Sequence, residues 1–340
     1  MPSPQARSIT QEFIAHGGRI SVARARFPDA PTPWLDLSTG ISPWAYPIPE
    51  LPVECWTRLP DPGDLDALIS VARDAYGVDE RAHVVPVAGT DLAINLIPRL
   101  VGKPLDVAIV APTYTAHQVA WGHAGHRVSL VDDVRDIGDS GVAIVVNPNN
   151  PDGRVWTAEQ LLETGNRLAR NGGFLIVDEA FCDCVPEMSV LSKRHDLSHV
   201  IVLRSFGKFY GLAGVRLGFI VTGRAIGGEL AALMSEWPVS GPAIAIGRQA
   251  LADRVWADMQ RLRLAEAAVR LNALLEREGL TLIGGTSLFS LAAHDNAPAV
   301  FERLAMRGIL VRPMANPRLL RFGIPGYDRD FARLQAAFTS

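Results

Sequence analysis

Lys208 and Arg216 are the residues whose types and surroundings most clearly suggest chemistry. Lys208 lies directly after the apolar run 200–203, in a segment of small and aromatic residues, and Arg216 follows eight residues later. A lysine at the mouth of a buried strand can attack an aldehyde once its amine is deprotonated, and desolvation beside other cations lowers a lysine pKa. The alternative is a surface-loop lysine near a structural arginine. Four further segments decide between these interpretations.

Two of these segments could hold parts of a planar phosphorylated ligand. Gly89-Thr90-Asp91 follows a predicted strand and opens a predicted helix, where free backbone N–H groups favour a phosphate. An ordinary helix N-cap is the alternative there. Tyr114 also follows a predicted strand, so its ring could stack on a planar cofactor or cover the edge of a domain.

The other two segments carry an amide and a carboxylate. The turn 147–153 contains three asparagines and two prolines, which fixes the direction of an amide such as that of Asn150. Asp178 ends the next apolar run, and a carboxylate inside an α/β crevice requires a cationic partner, for which a protonated pyridine nitrogen would serve. The alternative for Asp178 is a capping residue. All of these residues come at predicted strand ends.

The elements that must position these residues alternate along the chain. Several apolar runs are continuous in Val and Ile, which is typical of strands covered on both faces. Helical patterns at 91–101 and 158–171 lie between them, so the sequence predicts an α/β domain with a mostly parallel sheet. In such sheets, functional residues gather beyond the carboxyl ends of the strands. The predicted strands are 84–87, 106–110, 127–131, 142–146, 174–177, 200–203 and 217–221.

The pattern changes after residue 225. A long amphipathic helix at 255–278 precedes short strands at 280–283, 287–292 and 309–312, which predicts a smaller α+β domain. The proline-rich start is expected to pack on that domain as an arm. The predicted organisation is therefore an arm at 1–40, a large domain at 41–225 and a small domain at 226–340.

Composition excludes several classes of function. The 340 residues carry a net charge of -3, without the basic excess that binding to nucleic acid requires. No uninterrupted apolar run approaches about 18 residues, so no membrane span is expected, and the start lacks a signal-peptide pattern, which predicts a cytoplasmic location. Three cysteines at these spacings suggest neither a disulfide framework nor a metal site. No G-x-G-x-x-G follows the first strand, which disfavours a dehydrogenase.

With these motifs in this order, the chain resembles the fold-type I pyridoxal-phosphate enzymes of the class I/II aminotransferase family, over residues 30 to 330 or so. The resemblance implies that Lys208 forms the Schiff base with pyridoxal 5'-phosphate and that Asp178 pairs with the pyridine nitrogen. It implies further contacts to the ring from Tyr114 and Asn150. The residues that it implies for the cofactor phosphate are Gly89, Thr90, Asp91, Ser205 and Arg216.

The resemblance also implies how the substrate is bound. Arg321 matches the arginine that binds the substrate carboxylate, a task that suits a bidentate guanidinium. Two positions depart from the family pattern: Phe181 and Leu59 stand where many members have tyrosines. The hydrogen bond from position 181 to the ring oxygen should therefore be absent, and a contact from position 59 to the neighbouring subunit is in question. A homodimer is still implied.

Within the family, the N-terminal segments look like those of threonine-phosphate decarboxylases of cobalamin biosynthesis. The segments are His16-Gly17-Gly18 and 34–43, although Ser42 stands where relatives more often have asparagine. The implied reaction is decarboxylation of L-threonine O-3-phosphate to (R)-1-aminopropan-2-yl phosphate. A histidinol-phosphate aminotransferase and a non-catalytic binding protein are the alternatives. The residues expected to contact the substrate are His16, Ser38, Thr39, Gly40, Asn150, Arg312 and Arg321.

Overall fold

The structure is a computed structural model that describes residues 11–14, 16–192 and 196–339. The helices are α1 Gln11–Ile14, α2 Ile20–Arg26, α3 Glu54–Thr57, α4 Pro62–Tyr76, α5 Thr90–Leu96, α6 Ala116–His123, α7 Ala158–Ala169, α8 Phe206–Phe209, α9 Arg224–Leu233, α10 Gly241–Ala252, α11 Arg254–Arg277, α12 Ala297–Met306 and α13 Asp328–Thr339. The strands are β1 Leu35–Asp36, β2 Ala82–Val87, β3 Asp106–Val110, β4 Arg127–Val131, β5 Val142–Val146, β6 Phe174–Asp178, β7 Val200–Ser205, β8 Gly218–Gly223, β9 Thr281–Thr286, β10 Phe289–Ala293, β11 Ile309–Leu310, β12 Arg312–Pro313 and β13 Leu319–Gly323.

The chain forms two compact units, one of residues 45–259 and one that joins the described residues up to Trp44 with 260–339. This division differs from the boundary predicted at residue 225. The reason is that α9 packs on β2 and α10 packs on α4, which places residues 226–259 with the larger unit. The described part of the predicted arm belongs to the smaller unit, where Phe13 and Leu37 join its core.

The larger unit contains a seven-stranded sheet with the order β2-β8-β7-β6-β5-β3-β4. Strand β8 runs antiparallel to β2 and β7, while the pairs from β7 to β4 are parallel. Every residue of β5, β7 and β8 is buried, as the apolar runs within these strands predict for strands covered on both faces. The predicted α/β fold with a mostly parallel sheet is therefore confirmed.

The register brings the carboxyl ends of the central strands to one edge of the sheet. Asp178 at the end of β6 pairs with Val146 at the end of β5 and with Leu203 near the end of β7. Helix α7, which connects β5 to β6, is capped locally: the Thr157 hydroxyl and the Gln160 side chain form a capping box at its start. These elements fix where each strand ends, and so where the following loop begins.

The smaller unit has a four-stranded antiparallel sheet with the order β12-β13-β10-β9 and a short parallel pair, β1-β11. Helices α11, α12 and α13 contribute Leu271, Phe301 and Leu334 to a core that includes Phe322 of β13. The strand predicted at 309–312 is two strands, β11 and β12, and β13 was not predicted. Among the described residues, no helix is both long enough and apolar enough to cross a membrane.

Candidate active site

Four predicted residues, Gly89, Thr90, Ser205 and Arg216, converge where β2 and β7 end and β8 begins. Gly89 has φ 88°, a backbone conformation that favours glycine, and a Cβ atom built on it would lie 2.6 Å from Nη2 of Arg216. Gly218, which pairs with Ser205, lies so close to Thr90 that a Cβ there would be 3.0 Å from the Thr90 nitrogen. The backbone therefore brings a guanidinium and two hydroxyl side chains together around the start of α5.

Arg216 has a strained backbone that the sequence does not reveal. With φ 54°, it is the one non-glycine residue in the left-handed region within the described ranges, and a residue is held there only when its surroundings impose the conformation. Its guanidinium is exposed and donates to the Ala213 carbonyl at 3.3 Å. This donor set suits a phosphate group. The Asp91 side chain in the first turn of α5 is an anion that would repel a phosphate, so the contact predicted there would come from its backbone N–H.

The Asp178 carboxylate is buried and held from two sides. Its Oδ2 lies 2.9 Å from Nε2 of His117, and its Oδ1 accepts a hydrogen bond from the Ala180 N–H at 3.1 Å. His117 is buried on α6, and its ring stands perpendicular to that of Tyr114, with centroids 6.4 Å apart. The sequence reasoning missed His117. Its one signal was the three-residue spacing from Tyr114, which places both residues on one side of a helical turn.

Lys208 lies in α8, the single turn that directly follows β7, and it is half-buried. Its Nζ lies 6.0 Å from the centroid of the Phe181 ring, three residues beyond Asp178. Asn150 is buried in the turn after β5. Leu59, the other departure from the family pattern, is exposed. The structure thus places the predicted lysine, acid and amide at the ends of three adjacent strands, β7, β6 and β5.

A buried charged cluster joins the residues that flank these ends. Arg204, which precedes Ser205, donates to Oε2 of Glu179 at 2.8 Å and also bonds Asp183. Glu179, which follows Asp178, also accepts from the Ser189 hydroxyl at 2.6 Å and the Val190 N–H at 2.8 Å. Burial raises the pKa of Glu179, while Arg204 and these hydrogen bonds oppose the rise. The cluster fixes the ends of β6 and β7 relative to each other. Sequence reasoning did not identify it.

In the smaller unit, two arginines lie directly opposite each other on adjacent antiparallel strands. Arg312 of β12 pairs in register with Arg321 of β13, and both are buried. The pKa of Arg321 is lowered to about 9, chiefly by burial and next by the charge of Arg312, while Asp36 opposes the shift. Two buried cations of like charge raise each other's energy, and a bound anion relieves that cost. The pair therefore suits an anionic ligand.

Ser38 connects the N-terminal segments to Arg321. Its Nη2 donates to the Ser38 carbonyl at 2.9 Å, and the Ser38 hydroxyl accepts from the Gly18 N–H at 2.7 Å. A Cβ built on Gly17 would lie 2.2 Å from the Ser38 oxygen, which explains the glycine there. Arg312 donates to the Ile14 carbonyl at 3.4 Å.

The structure therefore gathers most of the predicted substrate residues in the smaller unit. His16, next to this contact, is exposed, and Thr39 and Gly40 continue the segment that runs beside β13. Asn150 lies in the larger unit with the predicted cofactor residues. Within the described residues, no three or more His, Cys, Asp or Glu side chains are grouped so that they could hold a metal ion.

Comparisons with known proteins agree with this geometry. Residues 60–337 match the family model described as aminotransferase class I and II. The chain is 42% identical to a threonine-phosphate decarboxylase of Pseudomonas aeruginosa, over 96% of this chain and 97% of that protein. It is 41% identical to a threonine-phosphate decarboxylase of a Sinorhizobium species, over 92% of this chain and 93% of that protein.

Among solved structures, the histidinol-phosphate aminotransferase of Sinorhizobium meliloti in complex with pyridoxal-5'-phosphate has a TM-score of 0.82. The two chains are 21% identical, and the match covers 99% of this chain and 97% of the aminotransferase, so the comparison shows the fold. Pyridoxal 5'-phosphate is the cofactor of the family, and the guanidinium, hydroxyl and buried carboxylate groups described above fit it. On these grounds, the chain belongs to the aminotransferase class I and II family, with its fold-type I architecture.

Proposed function

We propose that the chain catalyses the pyridoxal-phosphate-dependent decarboxylation of L-threonine O-3-phosphate to (R)-1-aminopropan-2-yl phosphate and carbon dioxide. The product would supply the aminopropanol linker of cobalamin. The observation that carries the proposal is the buried arginine pair, Arg312 and Arg321, because a substrate with a carboxylate and a phosphate offers two anionic groups to two guanidinium groups. Two relatives above 40% identity are named for this reaction.

The residues that would hold the cofactor lie in the larger unit. Arg216, Ser205, Thr90 and the backbone of Gly89 would hold its phosphate, since they converge at one point. The Asp178 carboxylate, fixed by His117, would balance a positive charge on the pyridine nitrogen. Bound there, the cofactor supplies an electron sink for the electron pair left at the substrate α-carbon. Because Phe181 has no hydroxyl, its side chain cannot donate a hydrogen bond to the cofactor ring.

Individual side chains of the protein would then have separate roles in the reaction. Arg321 holds the substrate carboxylate and so sets the direction in which the carboxylate–carbon bond leaves the α-carbon. That bond breaks, carbon dioxide departs, and a proton takes its place. The Lys208 amine is the group that would deliver this proton. Arg312, with His16 and the segment 38–40, would bind the substrate phosphate.

The products formed decide between this function and its alternative. Purified protein supplied with pyridoxal 5'-phosphate should release carbon dioxide from L-threonine O-3-phosphate without any added keto acid. A histidinol-phosphate aminotransferase would instead form glutamate from 2-oxoglutarate and leave threonine phosphate intact. Glutamate formation without carbon dioxide release would replace the proposal by this alternative. Cofactor binding without either reaction would favour the binding protein.

Replacing Arg312 with alanine should weaken binding of the phosphorylated substrate. A lost charged hydrogen bond corresponds to a KM that rises roughly 10- to 100-fold. Steady-state kinetics with threonine phosphate would measure this effect, and a cofactor titration should show unchanged affinity because Arg312 lies in the smaller unit.

A matched control is Arg318→Ala. Arg318 lies just before the same strand, β13, but is exposed and paired with Asp295, so its loss should leave KM unchanged. An unchanged KM in Arg312→Ala would remove Arg312 from the substrate site. A change in KM shared equally by both variants would also count against a specific role.

A homodimer in the cytoplasm belongs to the same proposal. The larger unit exposes Ile48, Val53, Trp56 and Leu59, each more than half accessible. Large apolar side chains clustered within so short a segment are typical of a surface that another protein covers. The occupant that we propose is a second copy of the chain. Light scattering should therefore give the mass of two chains, and the mass of one would exclude the dimer.

A further inference from the structure

One buried amide ties two neighbouring loops of the larger unit together. The Asn149 side chain, 1% exposed, lies in the turn after β5. Its Oδ1 accepts from the Thr113 hydroxyl at 2.6 Å, and its Nδ2 donates to the Pro112 carbonyl at 2.8 Å. Both partners lie in the loop after β3. Because β3 and β5 are adjacent, these bonds fix the two loops where they leave the same edge of the sheet.

The rest of the amide is satisfied within its own turn. Nδ2 also donates to Oδ1 of Asp152 at 2.7 Å, and Asp152 in turn accepts from the Arg154 N–H at 3.0 Å. Each polar atom of the Asn149 side chain thus has a defined partner, so the orientation of the amide is unique.

Arg154 makes a second connection across the same edge. Its Nη2 donates to the Ala111 carbonyl at 3.0 Å, in the loop after β3, and its Nη1 donates to the Asp132 carbonyl at 2.9 Å, just after β4. Three consecutive loops are therefore joined. Of the bonds just described between different loops, the one between Thr113 and Asn149 joins two side chains, so it can be removed without changing the backbone.

We propose that Asn149 is a positioning residue for the cofactor. Tyr114 directly follows Thr113, and Asn150 directly follows Asn149. By holding these two loops together, Asn149 fixes the aromatic ring and the amide that would contact the cofactor ring. A cofactor binds more tightly to side chains that are already held in position, because less conformational freedom is lost on binding. The inference depends on the proposed cofactor roles of Tyr114 and Asn150, but not on which substrate bond breaks.

The test uses two substitutions of Thr113 that differ in one atom group. Thr113→Val keeps the shape and removes the hydroxyl, whereas Thr113→Ser keeps the hydroxyl. The dissociation constant for pyridoxal 5'-phosphate, measured by fluorescence titration of the cofactor-free protein, should rise about tenfold in Thr113→Val and stay near the wild-type value in Thr113→Ser. Hydrogen exchange of residues 111–116, measured without cofactor, should be faster in Thr113→Val alone.

A double-mutant cycle separates positioning from general stability. Because Tyr114 would carry part of the effect of the Thr113 hydroxyl, the effect of Thr113→Val on cofactor affinity should become smaller in a Tyr114→Ala background and persist in full in an Arg216→Ala background. Equal affinities for Thr113→Val and Thr113→Ser, or additive effects in both backgrounds, would overturn the role of Asn149 and leave the proposed function intact. A wild-type protein that binds no pyridoxal 5'-phosphate would overturn both.

Discussion

Lys208→Ala is expected to lose almost all activity, with kcat/KM for threonine phosphate lower by about 10³-fold or more. The reason is that, in the proposed mechanism, one amine has two roles: it holds the cofactor aldehyde and it moves the proton at the α-carbon. Lys208 is half-buried in the single turn that follows β7, so its replacement should not unfold the sheet. Carbon dioxide release would be measured, together with circular dichroism to show that the variant is folded.

The control for this variant is Lys103→Ala. Lys103 is exposed in the loop before β3, and its loss should leave the rate unchanged. A small primary amine added to Lys208→Ala should restore part of the activity, since it can replace the missing proton carrier. Full activity in Lys208→Ala would remove the lysine from the mechanism.

Asp178→Asn is expected to lower kcat on the order of 10²–10³-fold, the usual effect of losing one preorganised electrostatic group. The substitution keeps the shape of the side chain but removes the charge that would balance the pyridine nitrogen. Because Asp178 is buried and bonded to His117, no water or nearby exposed carboxylate can replace that charge easily. Single-turnover rates would separate this effect from substrate binding.

Asp106→Asn is the matched control, because Asp106 is a carboxylate at the start of β3, whereas Asp178 is at the end of β6 in the same sheet. It is exposed and paired with Arg127, so its loss should affect neither kcat nor cofactor affinity. If Asp178→Asn kept the wild-type kcat, the carboxylate could not be the partner of the ring nitrogen.

Much of the fold follows from the sequence because the buried strands can be recognised by their apolar residues. The continuous apolar sequence of β5 predicts its bounds, and the predicted bounds of β3 and β4 also agree with the structure. The long helix α11 was placed within one residue, because a sustained amphipathic pattern is a strong signal. In contrast, β13 was missed: its apolar run is short and is interrupted by Arg321, a charge that burial patterns normally exclude.

The candidate site is predictable where one residue type implies one chemistry. Lys208, Asp178 and Asn150 come at the ends of apolar runs, so their positions followed from the rule for parallel sheets. What the sequence does not contain is the pairing of distant residues. His117 meets Asp178 across 61 residues, Arg204 meets Glu179 across 25, and Asn149 meets Thr113 across 36. These contacts depend on the order of strands in the sheet, which local patterns do not specify.

The identity of the residue that holds the cofactor is open to a direct measurement. The chain contains three lysines, Lys103, Lys193 and Lys208, so few outcomes are possible. Borohydride reduction of the protein supplied with pyridoxal 5'-phosphate fixes the cofactor permanently to the lysine that holds its aldehyde. Peptide mass spectrometry should then find the added mass on the peptide that contains Lys208. Added mass at Lys103 or Lys193 instead, or on no lysine, would contradict the assignment of the active site.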